Sequence, residues 1–368
     1  MLHVALGPSH TCAILDGGRV KCWGSNSAGQ LGLGDDADRG DGPGEMGAAL
    51  PQVDLGMGRT AVELALISRA TCALLDDGTV KCWGNMLRVT GLDDFLGDAP
   101  GEMGNTLMAL PLPISCLFNR TPTPPQDGWS VRKTQVADYR GGTLTYDSHN
   151  GTDFAVPVGT VVVAAAPGKV LRISSEFNRG GLKIFIDHGR GLITTSNHPA
   201  RALVRVGDVV ARGEAIALSG YSGIDALVAF PWSVPHAHFN VWLDGEYVDP
   251  FAAPGETSLW TGDNDPRPAH ATTHGEASEH TAWDSRAVLA AVEACSDTAS
   301  RDALLGEPDL GRRAMDVLFL RNYYPTRFVA RPPLERERHA REPRLALPFR
   351  AADFDGIAFA RGAAARAI

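Results

Sequence analysis

Between Asp147 and Pro250 the sequence is a succession of short runs rich in β-branched and aromatic residues: TDFAV, TVVVAA, KVLRIS, LKIFID, GLITTS, ALVRV, AIALSG and AHFNVWL. Gly, Pro and Asp separate them, and no helical apolar period interrupts them. A chain of that pattern has an antiparallel all-β domain as its natural outcome. Its two ends carry the chemistry. His149 and Asp153 stand four apart near the start, and His236 and His238 stand two apart near the finish. Alternation along a strand sends both histidine side chains from the same face. Imidazole nitrogen and carboxylate oxygen are the donors that zinc prefers, with one position open when a site is catalytic.

The totals limit what surrounds this stretch. With 368 residues there is room for two domains and a further segment. The 41 Gly and 24 Pro favour strands and turns over long helices. The formal charge of -9 is spread rather than blocked, which argues against a nucleic-acid partner. No apolar run reaches the length of a membrane span. The start, MLHVALGPSHTC, shows no signal peptide and reads as though the chain begins inside a repeat; missing upstream sequence would account for that.

Residues 10–24, HTCAILDGGRVKCWG, recur as ATCALLDDGTVKCWG at 70–84, and GPGEMG at 42–47 recurs as APGEMG at 99–104. Short strands with Gly-rich turns at such a period suggest propeller-like blades. Each copy reads as a hairpin flanked by a cysteine pair, Cys12/Cys22 and Cys72/Cys82, so a cross-strand disulfide is geometrically reasonable and an oxidising compartment follows from it. Two reduced thiols per hairpin is the plainer alternative; the spacing is poor for zinc. Cys116 and Cys295 have no repeat counterpart. The CALLDDG-x-VKCWG run with the GQLGLGD turn at 29–35 resembles chromosome-condensation-regulator-type propeller repeats. In the second copy NMLRVTGLDDFLGD departs from that pattern. About two blades are present, so the expectation is an incomplete ring over 1–118, offering a protein partner a surface or persisting as a remnant. Residues 119–130 read as a linker.

The central domain, 131–256, resembles the lysostaphin/LytM-type zinc endopeptidases, which mostly cut peptide cross-links in peptidoglycan. The H-x-G-x-D motif is His149, Gly151 and Asp153; the H-x-H motif is His236-Ala-His238 after Pro235; IDHGRGLITTSNH supplies His188 and His198. Val204, Gly207, Asp208, Val210, Gly213 and Glu214 match the V-x-x-G-D-x-V-x-x-G-E segment. The resemblance implies Zn2+ held by His149, Asp153 and His238, with His236 and His198 flanking the open position, His236 as base and His198 as stabiliser of the oxyanion. His188 is expected to be structural. The family pattern is broken around His198, where Ser196 and Pro199 replace a tyrosine and a leucine. It is broken again before His236, where an apolar insert carries Phe230 and Trp232, and at Asn240, where an acidic residue is common.

In the tail, 257–368, His270, His274 and His280 lie in a polar linker. SRAVLAAVEACSDTASRDALLG reads as a helix capped by Asp284 or Ser285, and DLGRRAMDVLFLRNYY as a second. The fold expected is mainly β: an antiparallel peptidase domain, preceded by incomplete propeller-like repeats and followed by a partly helical tail. The function expected is a zinc metalloendopeptidase acting outside the cytoplasm on peptidoglycan or another peptide. The alternatives are a degenerate domain that binds cell wall or a partner without cleaving, and a propeller-based interaction protein.

Overall fold

The computed structural model describes the chain apart from residues 1–2, 77–79, 87–94, 108–111, 122–135, 147–148, 157, 178–179, 224–235, 270–275, 277–278, 330–331, 352, 355 and 360–368. The insert with Phe230 and Trp232, Pro235, His270, His274, most of the 119–130 linker and the divergent loop of the second repeat lie outside the described residues. The chain divides into two compact units, one of Met1–Pro113 with Ala351–Ala367 and one of Ile114–Arg350.

In the repeat unit the two sequence copies fold alike. His10–Ile14 pairs with Val20–Gly24, and Ala70–Leu75 pairs with Val80–Asn85, both antiparallel. Cys12 stands opposite Cys22 and Cys72 opposite Cys82, and each pair forms a disulfide. The likeness extends to the loops. Glu45 accepts from the backbone N–H groups of Gly40 and Gly42, as Glu102 does from Gly97 and Ala99. Lys21 donates to Gly47 O and Lys81 to Gly104 O, both at 2.7 Å. These are two sheets, of three and four strands; no closed propeller is formed among the described residues.

The second unit is built on one twisted sheet. Its described strands run in the order Val209–Val210, Gly168–Glu176, Gly181–Asp187, Leu192–Asn197, His236–Leu243, Thr152–Ala155, with Ile114 and Cys116 paired beyond the last, and Glu246–Val248 folds back on the long histidine strand. The runs read from sequence supply the central strands; ALVRV contributes only Ala202, the end of the strand Arg201–Ala202. A smaller sheet holds Arg201–Ala202, Ala215–Leu218, Val161–Val163 and Leu347–Arg350 in antiparallel order, with Pro268–Ala269 added in parallel. The two faces of the main sheet have different fates. On one, Phe154 and Phe239 meet Phe349 and Trp260. On the other, Phe185, Ile193 and Trp242 form a core with the helices of the tail.

Those helices are Ser285–Glu293, Thr298–Gly306 and Leu310–Tyr323. Each starts on an aspartate, Asp284, Asp297 or Asp309, whose carboxylate accepts from N–H groups of the first turn. The single helix expected over 285–306 is two. The break falls at Ser296, whose N–H goes to Arg327 O, and Asp297, whose extended backbone and cap restart the helix. None of the described helices is long and apolar enough to cross a membrane.

Candidate metal centre

The register of three strands assembles the site. Thr152–Ala155 pairs with His236–Leu243 so that Asp153 faces His238, and Leu192–Asn197 pairs on the other side so that Asn197 faces His238. Alternation puts His236, His238, Asn240 and Trp242 on one face. The site and the helix-covered core therefore occupy the same face, with Trp242 about 13 Å along the strand from His238. His149 comes from the loop before Asp153. A side chain at Gly151 would meet His238 Nε2 and Phe239 O at 2.7 Å, so that position has no room for a Cβ.

The donor atoms converge. His149 Nε2 lies 3.2 Å from Asp153 Oδ2 and 3.3 Å from His238 Nδ1, and His238 Nδ1 lies 2.7 Å from Asp153 Oδ1. His149 and Asp153 are buried, and His238 is partly so. His149 Nδ1 is 2.6 Å from Leu117 O. A carbonyl only accepts, so Nδ1 carries the proton and Nε2 presents its lone pair to the cluster when the ring is neutral.

His236 and His198 stand beside these three. His236 Nε2 is 3.8 Å from Asp153 Oδ1, and the His198 ring is 5.0 Å from that of His236 and 6.2 Å from that of His238. His198 holds a left-handed backbone, φ 66, and its Nδ1 donates to Ser222 O at 2.7 Å. Gly181 lets that segment close in, since a Cβ there would meet Ser222 at 2.3 Å. Tyr221, which sequence reasoning left unassigned, sits with its ring edge-on to His236 at 6.3 Å.

The charges are mutually dependent. Burial pushes Asp153 up, but the neighbouring His149, His236 and His238 outweigh it and hold the carboxyl well below its usual range. Burial pulls His149 down, and Asp153 with Cys116 outweighs it, so this imidazole is raised well above its ordinary value. Burial lowers His238 despite Asp153. Such a knot of buried donors around one carboxylate suits a cation.

Cys116 was not among the residues expected here. It lies opposite Asp153 in the sheet, and its thiol forms a buried cluster with His149 and Asp153 whose donor atoms lie within 4.8 Å of one another. That cluster could coordinate a metal. Burial raises the thiol's pKa, which opposes the thiolate that metals bind. No sequence signal placed Cys116 here, because its neighbours in space are far along the chain. His188 is buried away from the cluster, bonded to Pro167 O and Thr194 Oγ1. Asp208 and Glu214 accept from backbone N–H groups of Arg205 and Ala211 and so hold turns. His280 is exposed.

Residues 147–250 match the model of peptidase family M23, and residues 2–30 match the regulator of chromosome condensation (RCC1) repeat. The chain thus carries an M23-family metallopeptidase domain and a short RCC1-type repeat segment. An uncharacterized metalloprotease of Haemophilus influenzae is 36% identical over 115 residues, which cover 31% of this chain and 23% of that protein. An uncharacterized metalloprotease of Buchnera aphidicola is 33% identical, covering 28% and 25%. The peptidoglycan DD-endopeptidase ShyA of Vibrio cholerae is 34% identical, covering 28% and 23%. The matched region spans about a quarter of the length of these relatives.

Proposed function

We propose that this chain is a zinc-dependent endopeptidase that hydrolyses peptide bonds, in peptidoglycan cross-links or another cell-envelope peptide, with the metal held by His149 Nε2, Asp153 and His238 Nδ1. The observation that carries the proposal is the convergence of the donor atoms, with His149 Nε2 3.2 Å from Asp153 Oδ2 and 3.3 Å from His238 Nδ1, and His238 Nδ1 2.7 Å from Asp153 Oδ1. Ligands at about 2.0–2.1 Å from a tetrahedral zinc are about 3.3 Å apart, which is the spacing of His149 Nε2 from Asp153 Oδ2 and from His238 Nδ1. Zinc supplies Lewis acidity when bound. His149 is held for this task by its bond to Leu117 O, the kind of outer contact that orients metal-binding histidines. His236 is the base that takes the proton from the attacking water and returns it to the leaving amine.

His198 stabilises the oxyanion. With Nδ1–H committed to Ser222 O, its Nε2 can donate only when the ring is an imidazolium.

An extracytoplasmic location follows from the substrate and from the two disulfides, which persist in oxidising compartments. The repeat unit offers a protein partner a surface. The domain limits are proposed as 131–256 for the peptidase and 257–368 for a tail whose helices cover part of the site's face.

The test uses the oxidised, full-length chain, with zinc content measured by plasma emission spectrometry and peptide release followed from purified cell walls. One zinc per chain and peptide release, both lost in His238→Ala, are expected. Folded protein without zinc removes the proposal. Zinc without cleavage of walls or peptide libraries leaves the second reading, a domain that binds wall without cutting it. One observation favours that reading: the side-chain NH2 of Asn240 lies 2.9 Å from His238 Nε2.

A further inference from the structure

Asn240 lies two residues beyond His238 on the same face of the strand and is 1% exposed. Its side-chain Nδ2 is 2.9 Å from His238 Nε2, 2.8 Å from the backbone oxygen of Asn150 and 3.0 Å from Asn150 Oδ1. A backbone carbonyl accepts and never donates, so the contact with Asn150 O settles which end of the Asn240 amide is the NH2. The other end agrees. Asn240 Oδ1 accepts from Asn197 Nδ2 at 2.5 Å, and Asn197 Nδ2 also lies 3.3 Å from the backbone oxygen of His238. Turning Asn197 over would place its oxygen against two acceptors. Its orientation is kept although its own Oδ1 is buried with no hydrogen-bond partner. Two amides are thus locked by two backbone carbonyls, and the lock sets the Asn240 NH2, which cannot accept a hydrogen bond, 2.9 Å from His238 Nε2.

That fixes the tautomer of a neutral His238. Nε2 accepts, so the proton sits on Nδ1 and is donated to Asp153 Oδ1 at 2.7 Å. A metal held through Nδ1 needs the other tautomer, with Nδ1 bare and the proton on Nε2. Metal-binding histidines ordinarily give that second N–H to a carboxylate or carbonyl. Here it would be driven against another N–H.

We propose that Asn240 is a positioning residue that holds His238 in its Nδ1–H tautomer and so weakens metal binding at this site. The proposal rests on the reading of His238 as a zinc ligand through Nδ1. It reverses the usual expectation for an outer contact of a metal site, whose removal typically costs about 10–100-fold in affinity.

The experiment measures zinc affinity of the full chain by competition with a chromophoric chelator, for the parent, Asn240→Ala, Asn240→Asp and His238→Ala. In parallel, 15N shifts of the metal-free protein report the tautomer of His238, and thermal melting confirms folding. Expected are the Nδ1–H tautomer in the parent and zinc affinity raised about 10-fold or more in Asn240→Ala and in Asn240→Asp. The Asp variant also shifts His238 to the Nε2–H form. Zinc binding lost in His238→Ala but weakened or unchanged by both Asn240 variants overturns this inference alone. So does an Nε2–H tautomer in the parent. Zinc bound equally well by His238→Ala, or by none of the chains, overturns the metal reading itself and the inference with it.

Discussion

Both units use the same construction, two reactive side chains set opposite one another across antiparallel strands. In the repeats the facing residues are cysteines, Cys12 with Cys22 and Cys72 with Cys82, each pair ten residues apart in sequence. In the second unit they are Asp153 and His238, 85 residues apart. The short-range pair closes a covalent staple across one hairpin of a small sheet of three or four strands. The long-range pair depends on a whole sheet being correct. A one-residue slip of the His236–Leu243 strand would send His236, His238 and Asn240 to the opposite face. Register is held there by burial on both faces, through Phe239 and Val241 on one side and Trp242 on the other.

The largest effect expected on this comparison comes from breaking the polar pair. His238→Ala should lower peptide release by at least about 100-fold, read by release from cell walls, and should leave both disulfides intact. Loss of the distant support comes next. Phe349 is fully buried and packs edge-on against Phe154, the neighbour of Asp153, with ring centroids 5.5 Å apart. Phe349→Ala should cost about 3–5 kcal/mol in urea unfolding of the second unit. An unchanged midpoint would mean that the tail strand Leu347–Arg350 does not support the site.

Breaking one staple should cost somewhat less. Cys72→Ser with Cys82→Ser opens a short loop worth about 3 kcal/mol, lowering the melting temperature of the repeats while zinc content stays the same. If zinc content falls with it, the two devices are not independent.

The smallest effect is in acid. Burial lowers His188 to about 4. Its folded pKa lies below the ordinary 6.5, so the unfolded chain binds more protons between those values, and stability falls as pH falls from 6.5 towards 4. The loss expected by pH 5 is about 2 kcal/mol, at about 1.4 kcal/mol per pH unit. Asp249 acts in the opposite sense. Burial raises it to about 6 against the Arg120 ion pair, so its contribution is lost as pH rises through 6. Replacing Asp249 with Asn should therefore steepen the acid loss measured by urea midpoints between pH 4 and 6.5, and a flat profile in that variant would contradict the assignment to His188.

Legibility from sequence followed distance along the chain. The hairpins of the repeats, the alternating strands of the central domain and the aspartate caps of the tail helices are local, and each could be read from neighbouring residues. The helix expected over 285–306 failed at Ser296 because the contact that breaks it, with Arg327, is not local. His149, Asp153, His198, His236 and His238 could be picked out by donor chemistry and by motif, and the fold brings all five together. Cys116 and Tyr221 carried no such signal, since a lone cysteine or tyrosine declares its surroundings only once the strands are paired.

By itself the sequence determined an antiparallel unit with nitrogen and oxygen donors at its two ends, because side-chain alternation and donor chemistry are properties of short segments. Tertiary structure decided the rest: that Asp153 and Asn197 flank His238 from two strands, that the tail helices share the site's face, and that two backbone carbonyls aim the Asn240 amide. Those follow from register across a sheet, and register is set by burial over the whole unit.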